Sequence, residues 1–244
     1  MDWTKAKSIL IVALVVTNLV LIATYFFQDS RFEEDEKELQ KVTIKLLEEK
    51  GIFVETDIPA GRHRMPKLTV QYDKMDVNII EEQLANQKTM SETELTDEVL
   101  ISMTKEFIEA CALMTENVTF DKITRTGGEI RVTYKNYINE IAIEDSYINV
   151  TIKDGKIEGF ERYWLDPVES NDSEKEVIPA VAALIEFMSE NAEEERIYVK
   201  DISLVYWLDS SAFDAEFPVT DTAFPAWKIT YNRGKIHYIL AWEQ

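Results

Sequence analysis

Hydrophobic positions along this chain follow three patterns: one unbroken run, a few stripes at helical spacing, and many short alternating stretches. The unbroken run comes first. From Ser8 to Phe27 twenty successive residues carry no charge, and only Ser8, Thr17, Asn18 and Thr24 are polar. At about 1.5 Å rise per residue, such a run spans a hydrocarbon core of about 30 Å. A buried helix of a soluble protein is seldom apolar on every face for this long. A cleaved signal peptide would have a shorter apolar region followed by a small-residue cleavage site. Here the run ends in Thr24-Tyr25-Phe26-Phe27, aromatics suited to a membrane interface. An uncleaved transmembrane helix over 8–27 is therefore expected. Lys5 and Lys7 precede it and Glu33-Glu34-Asp35-Glu36 follows, so residues 1–7 are expected in the cytoplasm and 28–244 outside. Asp2, Trp3, Lys5 and Lys7 form the topology flank. Thr17 and Asn18 are candidate partner contacts, because a polar side chain inside a span can hydrogen-bond across a helix–helix contact.

Beyond the span, Phe32, Leu39, Val42, Leu46 and Leu47 recur at helical spacing up to Gly51, predicting a stalk helix within 28–50. Pro59, Gly61 and Pro66 then separate two short strands. Ser91-x-x-Glu94 reads as a capping box opening a helix to Met114, with Val99, Met103, Phe107, Ala110 and Met114 as its stripe. Strands are predicted at 118–125 and 130–137 around Gly127-Gly128, then at 140–143, 147–153 and 156–163. Asp154-Gly155 joins the last two as a tight hairpin. Ile148, Val150 and Ile152 would share one face. Residues 166–176 are polar and serve as a connector. Pro179 opens a helix with Val181, Leu184, Ile185 and Met188 on its core face. A strand at 202–208, a turn-rich stretch to Pro225, and a closing hairpin around Arg233-Gly234 complete the chain. A helix followed by hairpin-linked strands occurs twice, which favours an α+β fold of antiparallel sheets backed by helices, in lobes at 51–165 and 177–244.

Charge and composition narrow the function more than the fold. The chain has 46 acidic against 26 basic residues, and the first thirty sum to zero, so residues 31–244 hold the whole net charge of −20. Such a surface repels phosphate backbones and excludes nucleic acid as a partner. The single cysteine, Cys111, rules out an intrachain disulfide framework and reads as a buried small hydrophobe. His63 lies in a basic loop and His237 in a strand, neither beside a Ser or Cys elbow. HExxH, CxxC, EF-hand, Walker and dinucleotide patterns are missing, so no metal or cofactor is expected. Carboxylate pairs able to cleave a glycosidic bond are expected by coincidence among so many acids. Sequons stand at Asn117, Asn149 and Asn171. Tyr163, Trp164, Tyr206, Trp207, Trp227, Tyr231, Tyr238 and Trp242 pack a core or, on the sharper reading, form an exposed patch for a protein or glycan partner.

Two stretches resemble the YycI (WalI) family, membrane-anchored auxiliary regulators of the WalK sensor kinase. Met1-Asp2-Trp3-Thr4-Lys5-Ala6-Lys7-Ser8-Ile9, running into the apolar span, resembles the family's start. Phe224-Pro225-Ala226-Trp227-Lys228-Ile229 resembles its closing motif, shared with YycH. The resemblance implies a non-enzymatic role in the WalK/WalR (YycG/YycF) two-component system. It also implies a two-lobed outer module, and a span that packs with those of the kinase and a YycH-like protein. Against it stand an anchored outer binding module for a wall or protein ligand, and a wall-active hydrolase.

Overall fold

The computed structural model describes residues 14, 17–18, 37–87, 89–91, 95–168, 173–191, 196–208 and 220–242. Asp2, Trp3, Lys5, Lys7 and most of the expected span lie outside the described residues; Leu14, Thr17 and Asn18 are helical and exposed. Among the described residues no helix is long and apolar enough to cross a membrane.

Helix α1 occupies residues 37–49 and ends before Gly51, whose φ of +83° only a glycine adopts readily. It buries Thr43 and Leu47 and leaves Leu39, Val42 and Leu46 exposed, so the face expected to pack inward is turned mostly outward. Short strands β1 (Ile52–Val54), β2 (Arg64–Met65) and β3 (Leu68–Tyr72) follow. Helix α2 (Val77–Ala85) was not anticipated. Asp76 caps it by accepting the Asn78 N–H at 2.9 Å, and Ile80 is its buried residue. One anchor on a two-turn helix leaves almost no periodic signal.

Helix α3 (Asp97–Ala110) starts later than the Ser91 pattern predicts. Thr96 is the cap, its Oγ1 accepting the Val99 N–H at 3.4 Å, with Asp97 and Glu98 in the first turn favouring the helix dipole. At its other end Ala112 takes a left-handed φ of +56° and the Leu113 N–H reaches back to the Ile108 carbonyl at 3.0 Å. Its core face is Leu100, Thr104, Phe107 and Ile108. The expected stripe is rotated because a threonine stands in the true one. Thr104 is buried by bonding the Leu100 carbonyl (2.7 Å) and the Tyr134 hydroxyl (2.8 Å).

The central strands are β4 (Val118–Thr126), β5 (Glu129–Ile138), β6 (Ile141–Lys153) and β7 (Lys156–Tyr163). Both hairpin turns form as expected: Gly127, Gly128, Asp154 and Gly155 all have positive φ. Ile148, Val150 and Ile152 are fully buried on one face. The two strands expected at 140–153 are one, β6. The polar connector holds β8 (Leu165–Val168) and β9 (Lys175–Glu176), then α4 (Ala180–Glu190) begins after its cap Pro179. Ile185, expected in the core, is exposed, whereas Ala183 and Phe187 are buried. The chain closes with β10 (Ile197–Trp207), β11 (Thr220–Tyr231) and β12 (Lys235–Leu240). β11 takes in Thr220–Pro225, a stretch expected to be turn-rich.

Among the described residues ten strands join in one mostly antiparallel sheet, with β2 and β9 as a separate pair. Its parallel contacts are β1 with β10 and β6 with β10, the latter through Ile143 and Tyr206. Two apolar clusters form. Leu100, Phe107 and Ile108 of α3 pack on β5–β7, while α1, α4, β1 and β3 pack with β10–β12. Strands from both ends of the chain thus share one cluster.

A strap is clipped to the β6–β7 turn: the Met90 N–H donates to the Gly155 carbonyl at 2.8 Å, and a Cβ on Gly155 would lie 1.9 Å from the Met90 oxygen. Gly155→Ala is expected to release the strap, and the left-handed backbone alone costs about 1–2 kcal/mol. A lower urea midpoint together with earlier proteolysis near Met90 is the expected readout. If both stayed at wild-type values, the clip would be refuted.

Candidate functional site

The most irregular point in the sheet lies between β5 and β6. Their pairing passes from Lys135↔Tyr147 directly to Asn136↔Ile143, so Glu144, Asp145 and Ser146 stand unopposed on β6. Such a bulge re-aims side chains, and here it does so in two directions. Ser146 Oγ turns inward and accepts the Leu165 N–H at 3.0 Å. Glu144 meets two lysines from different strands: Lys135 on β5 at 2.8 Å and Lys228 on β11 at 2.5 Å. The side chains of Glu144, Lys135 and Lys228 are only 9%, 13% and 18% exposed. This triad ties the β4–β7 portion of the sheet to its C-terminal portion.

Burial pushes the Glu144 carboxyl up, but hydrogen bonds and charge from Lys135 and Lys228 outweigh it, holding the group below the ordinary carboxylate value. Asp145 moves the other way, raised by burial and by the neighbouring Glu144 charge. Tyr238 on β12 is raised well above the usual phenol by burial, by both carboxylates and by its hydrogen bond to Glu144. Burial and, secondarily, Glu174 push Tyr206 up to about 12.

Beside the triad, the polar face of β4–β6 holds a groove. It measures ≈ 610 Å³ and is lined by Thr124, Arg131, Thr133, Lys135, Asn149 and Thr151 among others, with Glu144 and Tyr147 at one end. Alternation explains its chemistry: Val132, Tyr134, Ile148 and Val150 point to α3, so Arg131, Thr133, Tyr147 and Asn149 point away. Thr133 Oγ1 donates to Asn149 Oδ1 (2.8 Å), Asn149 Nδ2 to Glu161 Oε2 (3.2 Å), and the Tyr147 hydroxyl to Glu161 Oε1 (2.8 Å). Sequence reasoning found neither triad nor groove; the adjacent Glu144 and Asp145, interrupting the alternation of β6, are the available signal.

The residues singled out from sequence are not brought together. Thr17 and Asn18 are helical and exposed, with their neighbours outside the described residues. Pro225, Ala226 and Trp227 are buried in β11, where Trp227 is 2% exposed and its Nε1 donates to the Ile178 carbonyl at 2.8 Å. Pro225 stands just past the end of the β12 ladder, its carbonyl accepting the Ala241 N–H at 2.9 Å. That motif is a packing element. Among the other aromatics, Trp164, Tyr206 and Tyr231 are buried, Trp207 stacks on Tyr238, and Tyr163 is 37% exposed. His237 Nε2 contacts Glu190 of α4 at 2.6 Å, and the His63 carbonyl accepts the Val177 N–H. Cys111 is buried at the end of α3, and burial raises its thiol. Among the described residues no group of His, Cys, Asp and Glu could hold a metal ion.

Fold and surface define a mixed α+β domain whose elaborations are a bulge-borne ion cluster and an open polar sheet face. The chain belongs to the YycI protein family, whose model matches residues 33–241. Membership implies an auxiliary regulator of the WalK/WalR system, in a family of membrane-anchored, non-enzymatic regulatory proteins. A comparison with curated proteins finds no match. Among solved structures, the Bacillus megaterium YpeB C-terminal domain is similar at 10% identity, covering 86% of this chain and 92% of that one with a TM-score of 0.37.

Proposed function

We infer that this chain modulates a sensor histidine kinase through contacts of its transmembrane helix. Residues 8–27 pack with the spans of the kinase and a YycH-like protein, with Met1 cytoplasmic and residues 28–244 outside. The family match over residues 33–241 carries this reading. The uncharged run from Ser8 to Phe27, with Lys5 and Lys7 ahead of it, supports the anchor and its orientation. The two apolar clusters support an outer part with two packing centres, one of which joins Ile52, Leu68 and Val70 to the residues after Val177. A span can shift a kinase equilibrium only by contacting one state better than the other. Asn18, beside Thr17, is the side chain suited to that contact.

Replacing residues 8–27 with an unrelated apolar helix is expected to abolish co-purification with the kinase and its effect on kinase output. Asn18→Leu is expected to weaken co-purification about fivefold, as for one interhelical hydrogen bond of roughly 1 kcal/mol. Signalling that survived the helix replacement would show that the outer domain carries the effect.

A further inference from the structure

We propose that the open face of the β4–β7 sheet is a binding site for a neutral, polyhydroxylated glycan chain. This goes beyond the transmembrane reading and does not depend on it.

Three observations on that face converge. The first is charge. The groove lining carries Lys122, Arg131 and Lys135 against Asp121, Glu129 and Glu144, three of each sign, on a chain whose net charge is −20. Lys228, which shares Glu144 with Lys135 (2.5 and 2.8 Å), and Glu161, which is bonded to Asn149, bring the count to four of each sign, and Lys122 lies 4.0 Å from Asp121. A balanced lining favours neither a polyanion nor a polycation.

The second is the polar ladder. Thr133, Asn149, Glu161 and Tyr147 are joined by side-chain hydrogen bonds across three strands. These bonds hold Glu161 below the ordinary carboxylate range, chiefly through Tyr147 and then Asn149, keeping it a charged acceptor. Donors and acceptors fixed on strands lose little freedom when a ligand's hydroxyls meet them. Thr124, Thr126 and Thr151 extend the same face with further hydroxyls.

The third is a row of tyrosines that starts at Tyr147 in the groove lining and passes outward through ring contacts. Tyr163 opposes Tyr147 in the β6–β7 ladder, with ring centroids 6.5 Å apart, and Tyr72 follows at 5.4 Å from Tyr163. A tyrosine ring offers an apolar plate with a polar tip, which suits the apolar face of a pyranose and the hydroxyls at its rim. Four strands at about 4.8 Å spacing make the face about 14 Å wide, long enough for an oligomer. A protein partner is disfavoured because no Leu, Ile, Val, Phe, Met or Trp lines the groove to form a dry interface centre.

The test is calorimetric titration of the full chain, in lipid nanodiscs free of sugar detergent, with neutral chitotetraose, neutral cellotetraose and acidic tetragalacturonate. At least one neutral tetramer is expected to bind and the acidic one to bind more weakly. Tyr163→Ala and Asn149→Ala should each weaken the neutral ligand about tenfold. Arg125→Ala, which removes an exposed pair with Asp97 beyond the groove, should leave it unchanged. Circular dichroism of each variant checks that the fold persists. Failure of both neutral tetramers to bind would overturn the proposal. So would preference for the acidic tetramer, or binding indifferent to both groove substitutions in folded protein. The kinase is absent from this assay, so its failure and that of the transmembrane reading are separable.

Discussion

Trp227→Ala is expected to lower unfolding free energy by about 3–5 kcal/mol, the cost of a large aromatic removed from a packed core. Trp227 sits on β11 between β10 and β12, opposite Leu204 and Ile239, and packs in the cluster with Leu184 and Phe187 of α4. Truncation empties that space and also orphans the Ile178 carbonyl, which accepts the indole N–H at 2.8 Å just before α4 begins. For a domain stable by about 5–15 kcal/mol this is a large share. Trp227→Phe keeps most of the packing and should cost clearly less. Urea unfolding followed by far-ultraviolet circular dichroism gives both values. A loss under about 1 kcal/mol for alanine would mean that the centre of the sheet is not packed as described.

Glu144→Gln is expected to cost about 2–4 kcal/mol at neutral pH, because it leaves Lys135 and Lys228 facing one another without their shared charge. The two lysine side chains keep a slight exposure, 13% and 18%, which holds the loss below that of a sealed pair. Lys228→Met should cost less, since the Lys135–Glu144 pair at 2.8 Å survives. The pH dependence has a definite sign. The folded carboxyl of Glu144 is held below its unfolded value, so its contribution is full above the unfolded value and disappears as pH falls through the folded one. Asp145, raised instead, opposes folding when ionised and stops doing so in acid. The gap between wild type and Glu144→Gln should therefore close on acidification below the ordinary carboxylate range. A gap constant from neutral pH to below that range would show that the charge of Glu144 contributes nothing.

Legibility followed the range of the forces involved. Turns were readable because a backbone requirement names its own residue: the positive φ at Gly127, Gly128 and Gly155 is local. The apolar row Ile148, Val150, Ile152 was readable because strand alternation is also local. The capping signal at Ser91 misled because Thr96, with acids behind it, offered a competing start. The buried stripe of α3 differs from the apolar one because Thr104 becomes core only when Tyr134, thirty positions away in the chain, supplies a partner. Pro225 suggested a turn, yet it fits a strand just past the end of the β12 ladder, which only the pairing shows.

The candidate sites divide in the same way. Residues 8–27, their flanking lysines and Asn18 could be argued from composition alone, since spanning a bilayer demands only length and the absence of charge. The Glu144 triad could not, because Lys135, Glu144 and Lys228 meet through a bulge and a sheet path that no local pattern encodes.

By itself, the sequence determined the class of fold, the hairpins and the anchor expectation, which rest on short-range sterics and hydrophobic periodicity, and it carried two stretches that resemble the family's. Tertiary structure alone decided that strands from both ends of the chain enter one sheet, that Trp227 is core, and that the polar face of β4–β7 is left open. Those outcomes depend on which distant segments pair, and pairing is set by the packing of the whole chain.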